Sequence, residues 1–280
     1  MTSPTTQVPQ VSLRGDTKIP QLGFGVFQVP PQDTAEVATR ALLAGYRHID
    51  TASGYRNEAE VGQAVHAAGL ERGDVFITTK CWNDDHGRQQ ARRALKTSLD
   101  QLDMEYIDLY LIHWPVPAHD RYVDTWKAFV EMQQEGLARA IGVSNFQPAH
   151  LERLIAETGV TPAVNQVELH PLFQQAGLRR EHEELGIVTQ AWSPLTQGQV
   201  LDDPVLTRIA EVHGKTSGQV VIRWHLQLDN VVIPKSVTPQ RIEQNIDVFD
   251  FHLSASEMAE IEELDAGGRI GPDPDTFVRP

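Results

Sequence analysis

Asp50, Tyr55, Lys80 and His113 can each move or steer a proton, and three of them close short apolar runs while Tyr55 follows one of those ends by five residues. The stretch from Gly45 to Glu58 ends an apolar strand, places the Asp50 carboxylate at its tip and presents the Tyr55 phenol before a helix. A free tyrosine is a poor acid at neutral pH, with a pKa of about 10. Asp50 and Lys80 at adjacent strand ends would form an ion pair and hold the ammonium near Tyr55, lowering its pKa because a nearby cation favours phenolate. His113, on the next strand, would hydrogen-bond the same substrate oxygen. Such a group donates a proton to a carbonyl oxygen as negative charge develops there. No side chain can deliver a hydride, so a cofactor must supply it.

Further strand ends offer a place for that cofactor. Ser144, Asn145 and Gln166 carry hydroxyl and amide groups suited to a carboxamide, and Trp192 has a flat face for a pyridine ring. The run from Ile233 to Arg241 supplies two cations and two hydroxyls near a helix start, where backbone N–H groups favour phosphate. The histidines, His48 and His170 among them, show no metal-ligand spacing, so no metal is expected. Cys81 follows Lys80, but nothing near it in sequence forms a Cys/His pairing.

The elements that would carry these groups follow from hydrophobic periodicity. Short β-branched runs at Leu22 to Gly25, Arg47 to Asp50, Val75 to Lys80, Ile107 to His113, Ala140 to Ser144, Ala163 to Val167, Ile187 to Trp192 and Val231 to Pro234 read as strands. Amphipathic stretches lie between them, including Asp33 to Ala44, Arg88 to Leu102, Val123 to Glu135, Pro148 to Glu157 and Ser217 to Gln227. Several end just before glycine, as at Gly45, Gly136 and Gly159. Strands alternating with helices imply parallel pairing with right-handed crossovers. Eight such units fit a (β/α)8 TIM barrel, with a doubly wound open sheet as the alternative. In a barrel all C-terminal strand ends open onto one face. A lone polar strand end is usually a solvated rim residue, but seven in succession point to a pocket. Val11 to Pro20, centred on Arg14-Gly15-Asp16, reads as an N-terminal β-hairpin capping the barrel bottom. Gly23-Phe24-Gly25 lacks the third glycine of a dinucleotide fingerprint and runs into Pro30-Pro31, so a Rossmann site is excluded.

Composition sets the outer bounds. With 280 residues, 40% of them hydrophobic, the chain can bury a full core as one large barrel or two medium domains. No linker or repeat suggests a second domain, so residues 1–280 are expected to form one. A net charge of -14 disfavours nucleic acid and anionic membrane as partners, while leaving room for a local basic pocket. The first ten residues are polar and do not read as a signal peptide, and no apolar run approaches the ~18 residues of a membrane helix. One cysteine cannot form an internal disulfide, which fits a cytoplasmic protein.

Three separated motifs give the chain a resemblance over nearly its whole length. They are Gly45 to Gly62 with Glu58 in place, Arg139-Ala140-Ile141-Gly142-Val143-Ser144-Asn145-Phe146, and Ile233 to Val248 with Arg241 and Asn245 in register. In these the chain resembles the aldo-keto reductases. It is most similar to their bacterial 2,5-diketo-D-gluconate reductase group, through Gly23 to Val29, Trp192, the short loop Thr196 to Asp203 and the tail Gly268 to Pro274. The resemblance implies a barrel that binds NADPH in extended form and a tetrad of Tyr55 as proton donor, Lys80 and Asp50 tuning it, and His113 orienting the carbonyl. It also implies that Ser144, Asn145 and Gln166 hold the carboxamide, Trp192 stacks on the nicotinamide, and Ser193, Pro194 and Leu195 lie along the pyrophosphate. Lys235, Ser236 and Arg241 would clamp the 2′-phosphate, favouring NADPH over NADH, with Val237 and Asn245 beside them. Gln244 stands where many members place Glu.

Phe27, Trp82 and Trp114 follow strand ends and, with His113, would wall the substrate mouth, favouring small or flat carbonyl compounds. The expected activity is NADPH-dependent reduction of aldehydes, ketones or keto-sugars by a monomer. The alternatives are an NADP(H)-binding redox-sensing module and the same chemistry run as an alcohol dehydrogenase.

Overall fold

The computed structural model describes residues 8–278; most of the first ten residues, read above as no signal peptide, fall outside that range. A hairpin of β1 (Gln10–Ser12) and β2 (Lys18–Pro20) opens the chain, turning where Gly15 takes a φ of 81°. Eight further strands follow: β3 (Phe24–Gly25), β4 (His48–Asp50), β5 (Phe76–Cys81), β6 (Ile107–Ile112), β7 (Ala138–Ser144), β8 (Val164–Glu168), β9 (Val188–Trp192) and β10 (Val231–Val232). Each pairs in parallel with its sequence neighbour. A parallel bridge between Leu22 and Val232 closes the sheet, with Gly23 N donating to Val232 O at 2.9 Å and Val232 N to Gln21 O at 2.9 Å. The closed (β/α)8 barrel is therefore observed, and the open-sheet alternative is not.

Strands β5 and β6 are buried at every residue, as sheet covered on both faces must be. The outer layer comprises α1 (Pro31–Leu43), α2 (Glu58–Ala67), α3 (Arg88–Leu102), α4 (Tyr122–Gln134), α5 (Pro148–Thr158), α6 (Ala176–Leu185), α7 (Pro204–His213), α8 (Ser217–Gln227), α9 (Pro239–Ile246) and α10 (Ala255–Glu262). Local chemistry sets several boundaries. Pro31 takes the first position of α1, two residues before the expected start, because its fixed φ suits that place and its missing N–H is not needed there. Capping boxes begin α5 (Gln147 with His150) and α8 (Thr216 with Gln219), and Gly159 ends α5 at a φ of 69°.

Two strands are two residues shorter than the periodicity predicts. β10 stops at Val232, two residues before Pro234, which has no N–H to continue a ladder. β3 begins at Phe24 because Leu22 meets Val232 through a single bridge. Leu13 and Ile19 of the hairpin pack on Phe76, Leu109, Ala140, Val164 and Val231, at the strand starts. The hairpin thus plugs the bottom, and the C-terminal strand ends face the other way.

Candidate active site

Lys80 lies wholly buried on β5, inside the barrel. A buried ammonium needs acceptors for its protons. Its Nζ donates to Asp50 Oδ1 at 2.6 Å and to Thr51 O at 2.7 Å, both from the end of β4, and lies 3.4 Å from the Tyr55 hydroxyl. Gln166 Nε2 donates to the other Asp50 oxygen at 2.7 Å. Burial pushes Asp50 up and Lys80 down, each toward its neutral form, while their mutual attraction acts against both changes.

Tyr55 sits on a single helical turn (Ser53–Tyr55) whose position Asn57 fixes. Asn57 Nδ2 donates to Val26 O at 3.1 Å and its Oδ1 accepts from Thr51 Oγ1 at 2.8 Å. Ser53 Oγ donates to Lys80 O at 2.9 Å, tying the turn to β5. Gly54 is required here, since a β-carbon would come 2.8 Å from Cε3 of Trp82. The expected lowering of the Tyr55 pKa is not found: burial raises it well above its ordinary value, and the Asp50 charge raises it further. Lys80, partly neutralised by Asp50, does not reverse this. Tyr55 is therefore a firmly protonated phenol.

His113, just past β6, places its ring 5.6 Å from Tyr55 and 5.0 Å from Trp82, edge to face in both cases. Burial, then the charges of Lys80 and His86, hold it well below the ordinary histidine value, so it is a neutral imidazole. Four predicted residues from three strand ends and a turn thus surround one point. Phe27 is half exposed with its ring 5.0 Å from Tyr55, and Trp82 packs on the other side of the group, against His113 and beside Gly54. Trp114 is buried, and the ring of Phe277 in the C-terminal tail lies 4.4 Å from its own. Phe277 was not among the sequence-predicted residues, since the tail has no periodicity to place it.

Beyond the tetrad, the amide and hydroxyl groups are tied to one another. Ser144 Oγ donates to Gln166 O at 2.8 Å, and Asn145 Nδ2 donates to His113 O at 2.9 Å. Trp192 Nε1 donates to Asn145 Oδ1 at 2.8 Å, which fixes the indole edge. Gln166 thus has a second partner that its sequence position did not reveal, the Asp50 carboxylate. Ser193, Pro194 and Leu195 follow Trp192, and Ser193 holds a φ of 49°.

Lys235, Val237 and Arg241 are exposed around the start of α9, while Ser236 just before it and Asn245 near its end are buried. Among the described residues neither Lys235 nor Arg241 makes an ion pair. The Thr238 side chain does not cap α9, so its first N–H groups lack a side-chain acceptor. Unpaired cations beside a helix start, together with a fixed indole and a polar cluster at other strand ends, are the kinds of group an extended anionic dinucleotide requires. Two surface clefts of about 690 and 770 Å³, beside α1 and at the hairpin end, contain no tetrad residue. No cluster of metal-ligating side chains occurs among the described residues.

The aldo/keto reductase family model matches residues 21–266 of this barrel, a span that includes the tetrad, the Trp192 loop and α9. The chain belongs to the aldo/keto reductase family. It is 55% identical over 269 residues to an aldo-keto reductase of Mycolicibacterium smegmatis, covering 96% of this chain and 98% of that protein. It is 52% identical to the methylglyoxal reductase DkgA of Escherichia coli K12, covering 99% of each. Among solved structures, a mutant of Gox0644 in complex with NADPH superposes with a TM-score of 0.93 at 48% identity, covering 97% of this chain and 99% of that one. The sequence resemblance to the aldo-keto reductases is thereby confirmed.

Proposed function

We propose that this aldo/keto reductase reduces small aldehydes, ketones or keto-sugars to alcohols, with NADPH as its cofactor. The observation that carries the reading is the buried Lys80 and Asp50 pair, with its ammonium 3.4 Å from the Tyr55 hydroxyl and His113 facing the same point. NADPH, when bound, supplies the hydride. Every proton step belongs to the chain.

Neutral His113 hydrogen-bonds the substrate oxygen and orients the carbonyl. Tyr55 donates its proton as that oxygen gains negative charge, a transfer that a firmly protonated phenol makes only to a developing alkoxide. Lys80 stabilises the phenolate left behind, and Asp50, held by Gln166, keeps the ammonium in place. Trp192 provides the face for the nicotinamide, while Ser144, Asn145 and Gln166 hold its carboxamide. Ser193, Pro194 and Leu195 follow the pyrophosphate. Lys235, Ser236, Val237, Arg241 and Asn245 take the adenosine end, and the two cations select the 2′-phosphate. Phe27, Trp82 and Trp114 wall a mouth suited to small carbonyls. Methylglyoxal, for which the Escherichia coli relative is named, is the first substrate to assay. Cys81 is a buried free thiol, which supports a cytoplasmic setting.

Tyr55→Phe tests the assignment. The variant is expected to bind NADPH within a few-fold of the parent and to lose nearly all turnover of methylglyoxal or a keto-sugar; near-parental turnover would remove Tyr55 from the chemistry.

A further inference from the structure

The Glu168 carboxylate takes no part in the tetrad or in the cofactor contacts proposed above. It ends β8, two residues after Gln166, and its residue is 1% exposed. A carboxylate so buried needs donors for both oxygens. Ile270 N donates to Oε1 at 2.6 Å, Gly271 N donates to Oε2 at 2.8 Å, and His170 Nε2 lies 3.0 Å from Oε1. Two of these three partners come from the C-terminal tail, about a hundred residues away in sequence. Burial acts to raise the carboxyl's pKa, but the hydrogen bonds from His170, Ile270 and Gly271 outweigh it and hold the group below the usual carboxylate range.

The contact reaches the candidate active site through Gly271. A β-carbon there would lie 2.4 Å from Cη2 of Trp192 and 2.8 Å from Glu168 Oε2, so the tail backbone is pressed against the indole edge. Trp192 is also the strand-register partner of Glu168. The tail is fastened on either side. Gly268 N donates to Leu172 O at 2.9 Å, and beyond the latch Asp275 Oδ1 lies 3.5 Å from His150 Nε2 while Phe277 covers Trp114. Of these fastenings, the one at Glu168 sets Gly271 against Trp192.

We infer that Glu168 is a positioning residue whose carboxylate latches the tail from Ala266 to Phe277, setting at once the seat of Trp192 and the reach of Phe277 over Trp114. The active-site part of this inference rests on the proposed roles of Trp192 and Trp114 as cofactor and substrate walls; the latch does not.

Glu168→Gln keeps the side chain's size but replaces one acceptor oxygen with an NH2 that must face a backbone N–H. Amide hydrogen exchange at Ile270 and Gly271 in Glu168→Gln is expected to quicken about tenfold or more, the loss of a charge-assisted hydrogen bond. The KM for the carbonyl is expected to rise about tenfold while kcat changes less than about threefold, because a loosened wall costs binding of substrate and transition state alike. Glu168→Asp, which keeps the charge, should recover part of the exchange protection. Gly271→Ala keeps the carboxylate's charge but pushes on both Trp192 and Glu168 Oε2, and is expected to weaken NADPH binding in a tryptophan-quench titration. Unchanged exchange at Ile270 and Gly271 in a folded Glu168→Gln would overturn the latch. A fall in kcat with KM unchanged would overturn the positioning role. If the parent reduces no carbonyl, the proposed function fails, yet the exchange measurement still decides the latch.

Discussion

Lys80 and Asp50 show how a catalytic requirement opposes local stability. Each charge is buried, and each is tolerable only because the other is 2.6 Å away and because Thr51 O and Gln166 Nε2 take up remaining hydrogen-bonding capacity. Lys80→Met would leave Asp50 buried with one side-chain donor, and is expected to cost about 3–5 kcal/mol of stability, the penalty for an uncompensated buried charge. Adding Asp50→Asn should recover much of that loss in denaturant unfolding without recovering turnover. Recovery of both would mean that the pair is structural only. Burial, and then the Asp50 charge, explain why the phenol did not shift as the sequence suggested: exclusion of water disfavours phenolate more than the neighbouring ammonium, itself paired with a carboxylate, favours it.

Elements hold these residues by close backbone approach as much as by side-chain packing. Gly62 of α2, part of the motif that begins at Gly45, has the end of α3 directly against it, and a β-carbon there would lie 2.3 Å from Leu102 O. Gly62→Ala must separate α2 from α3 and is expected to lose about 1–3 kcal/mol, as overpacking does, seen as a lower Tm. Gly177→Ala, near the start of α6, meets nothing within 4 Å and should lose none. Equal effects at the two positions would show that the α2 to α3 contact is not what makes Gly62 necessary, since helix propensity alone favours alanine at both. Helix and strand order was legible because each period extends over a few residues and depends on local chemistry: Arg88 to Leu102 and Ser217 to Gln227 were bounded correctly. The ends of β3 and β10 were not, because barrel closure and a proline, rather than hydrophobic pattern, terminate them.

Across the whole molecule, burial keeps several histidines neutral. His48 and His225 are pushed down to about 3, and His86 and His182 to about 4, in each case chiefly by burial. Their folded pKa values lie below the unfolded value of about 6.5, so the stability they contribute is fully present above that pH and is lost as pH falls toward the folded values. Imidazole NMR shifts at pH 5.5 should therefore show all four neutral in the native protein, and each should take up close to one proton on unfolding. Titration of any of them near 6.5 in the folded state would contradict its burial.

The amino-acid sequence was enough to establish the alternation of strands and helices, the polar strand ends and the family motifs, because these depend on neighbours a few residues away. Asp50, Tyr55, Lys80 and His113 were legible for that reason, and the barrel brings them together as expected. Gln166 on Asp50, Asn145 on Trp192, the raised phenol and the tail over Trp114 emerged with the tertiary structure. Each depends on which distant segments meet when Leu22 reaches Val232 and on how completely water is then excluded. Neither the meeting nor the exclusion leaves a local pattern in the chain. Glu168 shows the difference most clearly: in sequence it is a carboxylate in a buried strand, and only the folded tail supplies the two N–H groups that join His170 in holding its charge.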